Sequence, residues 1–194
     1  MLTAFETCIA AGGVALFPAD TVYGLACDPE NEAAVQRLYE LKGRAPDKPA
    51  AVMVFRRDVL DLALPDLGPR VRAAVDALLP GAVTLLVPNP AGRFPLAGGG
   101  AVLGVRFPAG SPLQGARVPV LQSSANHAGG PDARTLDEVP EDIRRGVRLR
   151  LGAGELPGVP STVVDLSRYE DDGTWSIVRS GALPEAVVAD RLHC

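Results

Sequence analysis

The sequence predicts an α/β domain built on a twisted mixed β-sheet with flanking helices, and three observations predict it. Short apolar runs with strand character recur along the chain, beginning with Val14-Ala15-Leu16-Phe17. Between them lie segments whose apolar residues repeat at three and four, the period of an amphipathic helix. The intervals are uneven, and several strand pairs leave no room for a crossover helix, so antiparallel neighbours must accompany parallel ones. The chain has 194 residues, 47% of them hydrophobic and 22% charged, which suits one large domain with a sizeable core over residues 1–194.

Residues 3–11 read as a helix stopped by Gly12-Gly13, a C-cap pair. Residues 14–17 and 22–27 read as strands. Asn31 caps a helix running to about Leu41, with Ala34, Val35, Leu38 and Leu41 on its apolar face. Ala50 to Phe55 is β-like. Arg57 to Leu64 and Gly68 to Leu79 are two helices parted by Pro65. Ala82 to Val87, Ala101 to Phe107 and Val118 to Gln122 are strands, the last opening into a polar loop. Pro88 to Gly100 is the loosest segment and reads as a mobile loop. Thr135 to Arg145 is helical with a break at Pro140; Thr162 to Leu166 and Thr174 to Arg179 are late strands. Pro184 to Leu192 closes the series as a helix with proline in its first turn. No internal repeat or linker is visible.

Composition narrows the function classes. Formal net charge is −4, from 19 basic and 23 acidic residues, which argues against a broad sequence-independent nucleic-acid surface but leaves room for a local basic cleft. Cys8, Cys27 and Cys194 are odd in number and widely spaced, and His127 and His193 lie far apart, so neither a disulfide framework nor a zinc site is expected. The amino terminus, Met1-Leu2-Thr3-Ala4-Phe5-Glu6, lacks a basic leader, and the apolar stretch after it holds Gly12, Gly13 and Pro18. That stretch is too short to span a bilayer, so a cytoplasmic protein without membrane association is expected.

Chemistry concentrates in a few segments. An apolar strand stops at Pro18, and Asp20, Thr21, Tyr23 and Gly24 follow; downstream come Lys42, Arg44 and Lys48. Ligands of open α/β sheets bind just beyond strand ends, and the pairing reads as a pocket for something small and anionic. The three cations alone also read as an ordinary helix C-terminus; Gly43, Pro46 and Pro49 favour a fixed loop that presents them to phosphate. Ser123-Ser124-Ala125-Asn126 is either a nucleotide-binding strand exit or a side-chain-stabilised turn. Ser161 and Thr162 after Pro160 either face a ligand or simply open a strand. Arg106 and Arg179 each end an apolar run, as edge residues or as anion ligands at the sheet rim. Thr84, after Pro80-Gly81, is a weaker candidate, and His127 reads as an incidental loop residue. No Walker A loop, nucleophile elbow or zinc-protease helix motif occurs. Asp20, Asp28 and Asp47 lie near the cations in sequence, but no ligand spacing marks a metal site.

Taken in order, seven segments resemble the YrdC/Sua5 family of threonylcarbamoyl-AMP synthases: Pro18 to Leu25, Lys42 to Pro49, Pro80 to Thr84, Val105 to Pro108, Ser123 to Asn126, Pro160 to Asp165 and Arg179 to Gly181. Each is weak alone; their order across nearly the whole chain is specific. Ala19 stands where the family has threonine, Ala50 follows Pro49 in place of leucine, Ala82 replaces a frequent proline, and the loop from His127 to Gly130 lacks a common serine. The chain ends soon after Gly181, as in single-domain members.

The resemblance implies a YrdC-like fold with a concave ligand cleft. It also implies a reaction joining L-threonine, bicarbonate and ATP into threonylcarbamoyl-AMP, with loss of pyrophosphate and water. The product would serve partner proteins that modify adenosine 37 of tRNA. Carried over residue by residue, Lys42 and Arg44 are the catalytic candidates and hold phosphates. Thr21, Tyr23, Lys48, Arg106 and Ser161 serve threonine and bicarbonate; Thr84, Ser124, Asn126 and Arg179, with Lys42 and Arg44, serve ATP. Mg²⁺ is expected to accompany ATP. Rival readings are a non-catalytic RNA-binding module of the same fold, against which 5% aromatic content speaks, a carbamoyl-adenylate enzyme serving another acceptor, and a paralogue using another amino acid.

Overall fold

The computed structural model describes residues 1–45 and 48–193. Pro46, Asp47 and Cys194, which the sequence reading used as a loop-fixing proline, a carboxylate near the cations and an unpaired thiol, lie outside the described residues. The first helix, α1 (Leu2–Ala10), precedes an antiparallel pair, β1 (Ala15–Pro18) and β2 (Tyr23–Cys27). Then come α2 (Glu32–Lys42), β3 (Ala51–Met53), α3 (Arg57–Ala63), α4 (Pro69–Leu78), β4 (Val83–Pro88), β5 (Val102–Arg106) and β6 (Val120–Ser124). The remainder is α5 (Glu141–Gly146), β7 (Leu149–Arg150), β8 (Thr162–Asp165), α6 (Tyr169–Asp172), β9 (Ser176–Arg179) and α7 (Glu185–Leu192). One sheet takes all nine strands of the described residues, in the order β7-β1-β2-β6-β3-β5-β4-β8-β9. Its β1–β7, β3–β5 and β4–β8 pairs are parallel and the others antiparallel, the mixed sheet expected from the short connections.

The two faces of this sheet are filled differently, because successive strand residues point to opposite sides. On one face Leu16, Leu25, Val52, Leu85, Leu103, Val105, Leu121 and Val164 join a large cluster with Leu38 of α2, Leu60 of α3 and Val71 and Leu78 of α4. The other face is covered only in part. There Phe5, Cys8 and Ile9 of α1 pack on Phe17, Ala26, Met53 and Val120. Phe5, Phe17 and Phe55 form an aromatic trio with ring centroids 5.6–6.2 Å apart. This cover ends over β6 and β3. Beyond it, the same face of β5, β4 and β8 is left concave.

The α2 helix is shaped at both ends by its sequence. The Asn31 side chain accepts from the Ala34 N–H at 3.0 Å. At the other end Gly43 takes a left-handed conformation, φ 57°, and the Gly43 and Arg44 amides close the last turn onto Glu40 and Tyr39. Lys42 and Arg44 therefore straddle the cap and leave the helix in different directions.

Five segments depart from the sequence reading. Thr135 to Arg145 is not one interrupted helix; only Glu141–Gly146 is helical. Pro140 can only open a helix, and before it the Glu138 and Thr135 side chains take the Arg134 and Glu138 amides, replacing a helical ladder. The strand expected over Val118 to Gln122 begins at Val120 and runs to Ser124, so Ser123 and Ser124 belong to the sheet rather than to a loop. Strand β7 and helix α6 span two and four residues, too few for a periodic signal. Pro88 to Gly100 contains a 3₁₀ turn, Pro95–Ala97, and is tied by Asn89, which donates to the Arg93 and Gly100 carbonyls and accepts from the Arg93 amide. No helix among the described residues is long and apolar enough to cross a membrane.

Candidate active site

The uncovered part of the sheet is a cavity of about 490 Å³, within the size of small-molecule sites. Its floor is made by alternate residues of four strands: Thr84 and Leu86, Val102, Gly104 and Arg106, Gln122 and Ser124, Val163 and Asp165. The intervening residues are the core side chains named above. The site thus lies on the face of the sheet and not beyond its strand ends, which corrects the expectation drawn from open α/β folds. Gly104 leaves the centre of that floor low.

Three guanidinium groups line the cavity. Arg44 comes from the α2 cap; its Nη1 donates to Ser123 Oγ at 3.2 Å and its Nη2 to the Pro49 carbonyl. Arg106 ends β5 and forms a buried pair with Asp20, Nη2 to Oδ1 at 2.6 Å, while its Nη1 donates to Gln122 Oε1 at 3.2 Å. Burial pushes the Arg106 guanidinium below its ordinary pKa, Asp20 pulls it back up, and nearby Arg179 adds to the depression. Arg179 ends β9 and donates to the Ser161 carbonyl at 2.8 and 3.3 Å. Ser161 in turn shares a 2.9 Å hydrogen bond with Thr84 Oγ1. Four buried polar atoms of this neighbourhood have no partner among the described residues: Thr21 Oγ1, Asp20 Oδ2, Arg44 Nε and Arg106 Nε. Such atoms are rare in native interiors, and their gathering here marks a polar ligand site.

Of the residues named from sequence, Thr21, Arg44, Thr84, Ser124, Arg106, Ser161 and Arg179 line this cavity. Lys42 and Asn126 stand behind it. The Lys42 ammonium donates to the Ser124 carbonyl, to the Asn126 carbonyl at 2.8 Å and to Asn126 Oδ1 at 3.0 Å, so its three protons are engaged by protein. Asn126 Oδ1 also accepts from Ser124 Oγ at 2.6 Å, and its amide donates to the Gly130 carbonyl. Lys42 is therefore a tie between α2 and the exit of β6 and does not reach the wall. Burial, together with the nearby Arg44 charge, pushes its pKa down to about 8, and Asp132 opposes this. Tyr23 is fully buried; its hydroxyl donates to the Gly154 carbonyl at 2.9 Å and accepts from the Ala153 amide at 3.0 Å. Lys48 is exposed and is not among the lining residues, though its neighbour Pro49 is.

Sequence reasoning gave no role to Gln122 and Asp132, and it left Asp20 as a loop or metal carboxylate. Asp132 and Asp165 are the carboxylates among the lining residues. The hidden signal was alternation: Gln122 and Ser124 share one parity in β6, as Thr84 and Leu86 do in β4. Among the described residues, no group of three or more His, Cys, Asp or Glu side chains could hold a metal ion by itself.

Comparison with known proteins places this geometry. A family model for Sua5, YciO and YrdC, described as "Telomere recombination", matches residues 7–181. The threonylcarbamoyl-AMP synthase of Thiobacillus denitrificans is 34% identical over 80% of this chain and 86% of its own length. That of Pyrococcus abyssi is 29% identical over 95% of this chain but 56% of its own length, so the chain spans little more than half of that relative. The structure of P. abyssi Sua5 complexed with L-threonine superposes with a TM-score of 0.85 at 28% identity, over 98% of this chain and 56% of that one. Escherichia coli YciO shares the fold, with a TM-score of 0.81 at 22% identity over 96% of this chain and 92% of that one. A match across most of the chain, and a fold shared along nearly all of it, lead to one conclusion: the chain belongs to the Sua5/YciO/YrdC family.

Proposed function

We propose that the chain is an L-threonylcarbamoyladenylate synthase, a nucleotidyltransferase acting in the cytoplasm. It forms threonylcarbamoyl-AMP from L-threonine, bicarbonate and ATP, for partner proteins that install the modification at adenosine 37 of tRNA. The observation that carries this reading is the cavity in which Arg44, Arg106 and Arg179 meet the hydroxyls of Thr21, Thr84 and Ser161, with unpartnered polar atoms already buried around it. The relatives named for this activity support it.

The chemistry asks little of side chains as nucleophiles. The threonine amine and bicarbonate give a carbamate and water. A carbamate oxygen attacks the α-phosphorus of ATP, the bond from that phosphorus to the bridging oxygen breaks, and pyrophosphate leaves with the electron pair. The protein has to align the reactants and neutralise developing charge. Arg44, with Ser123, suits the departing pyrophosphate; Thr84, Ser124 and Arg179 suit the nucleotide. Arg106, Thr21 and Ser161 suit the amino-acid end. Lys42 and Asn126 hold the β6 exit, Tyr23 holds the loop at Ala153-Gly154, and exposed Lys48 adds to the attraction of anions. Mg²⁺ bound to ATP would be held by phosphate oxygens and waters, with Asp132 and Asp165 as the carboxylates available to it, and would supply charge neutralisation at the phosphates.

The test is pyrophosphate release from ATP and bicarbonate, with and without L-threonine and with L-serine in competition. Release that depends on threonine and survives serine is expected. Release indifferent to threonine, or none, defeats the synthase reading.

A further inference from the structure

Arg106 is unusual among the three wall arginines in being held from two sides by groups distant in sequence. Asp20 lies in the loop between β1 and β2, and Gln122 in the middle of β6. A guanidinium has five N–H donors. Asp20 takes one from Nη2 and Gln122 takes one from Nη1. Nε is buried without a partner. Two hydrogens remain, one on each terminal nitrogen, on a residue that lines the cavity. Donors left on both terminal nitrogens suit a carboxylate, which accepts at two oxygens.

We propose that Asp20 and Gln122 are positioning residues that clamp Arg106 as a fork for the carboxylate of the amino-acid substrate. This rests on the synthase reading and extends it to the residues that set amino-acid affinity. The pair is poorly arranged for stability alone. Both side chains are below one-tenth exposed, yet Asp20 Oδ2 and Arg106 Nε stay unsatisfied. A buried ion pair of that kind is weak support for folding; what it secures here is orientation. The clamp also explains a space in β2: a Cβ on Gly24 would stand 2.9 Å from Gln122 Nε2, so glycine leaves the amide its path to Arg106.

The sign of one substitution separates positioning from mere proximity of charge. Asp20→Asn keeps the shape and an acceptor but removes a negative charge beside the anion site. If Asp20 were only a nearby charge, L-threonine would bind more tightly. If it orients the fork, threonine binds about tenfold more weakly, while ATP affinity stays within about twofold. The experiment is calorimetric titration of the whole chain with L-threonine, and separately with ATP, for wild type, Asp20→Asn and Gln122→Leu, with thermal melts to confirm folding. Selective weakening for threonine in both variants supports the clamp. Unchanged or tighter threonine binding, equal losses for both ligands, or a wild-type protein that binds no L-threonine overturns it. A wild type that binds threonine but releases no pyrophosphate defeats the synthase reading and leaves this comparison standing.

Discussion

Replacing Lys42 by methionine tests how the protein keeps a charge behind the cavity. Lys42 is 2% exposed and its ammonium serves three acceptors. Methionine fills much of the same space but donates nothing. Asn126 Oδ1 keeps the Ser124 hydroxyl at 2.6 Å, so the main losers are the carbonyls of Ser124 and Asn126. Leaving a buried acceptor unpaired costs ~1–3 kcal/mol, or ~2–6 kcal/mol for the two. Against this stands the cost of the buried charge. The Lys42 pKa is lowered from 10.5 to about 8, a difference of ~2.5, which corresponds to ~3 kcal/mol at neutral pH. Near pH 7 the two effects largely offset, and the variant loses at most ~3 kcal/mol.

Raising the pH separates them. The unfolded chain keeps its lysine proton until about 10.5, whereas the folded protein releases it near 8. Between those values the unfolded state binds more protons, so wild-type stability gains with pH; the variant has no such gain. Cys27 and Tyr39, whose pKa values burial raises, act in the opposite sense in both proteins and cancel in the difference. The gap between wild type and Lys42→Met should widen by up to ~3 kcal/mol between pH 7.5 and 10. Urea denaturation at several pH values reads it from the midpoints at a common slope. A gap that stays level across that range refutes the buried, destabilised ammonium.

Three further outcomes follow from the same geometry. Arg44→Ala should weaken ATP binding by about 10- to 100-fold, the range of ~1.5–3 kcal/mol for hydrogen bonds to a charged group; calorimetry with ATP checks it, and undiminished affinity would remove Arg44 from the site. Gly24→Ala places a Cβ 2.9 Å from Gln122 Nε2, 3.2 Å from Phe17 Cε1 and 3.3 Å from the Ser123 carbonyl. With neighbours on three sides it should cost ~1–3 kcal/mol by overpacking, read from the denaturation midpoint. Tyr23→Phe removes both bonds to the Ala153-Gly154 loop. Hydrogen exchange at the Ala153 amide should accelerate well beyond that of β2 itself; equal protection would show that the loop is held by other means.

Local chemistry was legible where it was written locally. The Asn31 cap starts α2 as expected, since a cap acts within a turn of its own position, and Gly43 closes it just past the expected end near Leu41. Seven of the named site residues line one cavity because they came from motif segments that the sheet draws together. What escaped the reading was short or side-chain driven. Two residues of β7 pair with β1 across more than a hundred positions, and nothing in Leu149-Arg150 announces it. The stretch before Pro140 looked helical until Thr135 and Glu138 took backbone amides for themselves. Lys42 and Arg44, two positions apart, looked equivalent; one ended inside against carbonyls and the other on the wall.

The amino-acid sequence by itself determined the alternation of strands and helices, the mixed character of the sheet, the family likeness and the stock of cations and hydroxyls. Those depend on neighbours along the chain and on which groups are present. Only the tertiary structure decided that the site lies on the face of the sheet, that Arg106 is held by Asp20 and Gln122, and that Lys42 turns away from the cavity. The reason is that a strand residue's surroundings depend on which strands flank it. The order β6-β3-β5-β4-β8 joins residues far apart along the chain, and the part left bare is the stretch of its own face that α1 does not cover.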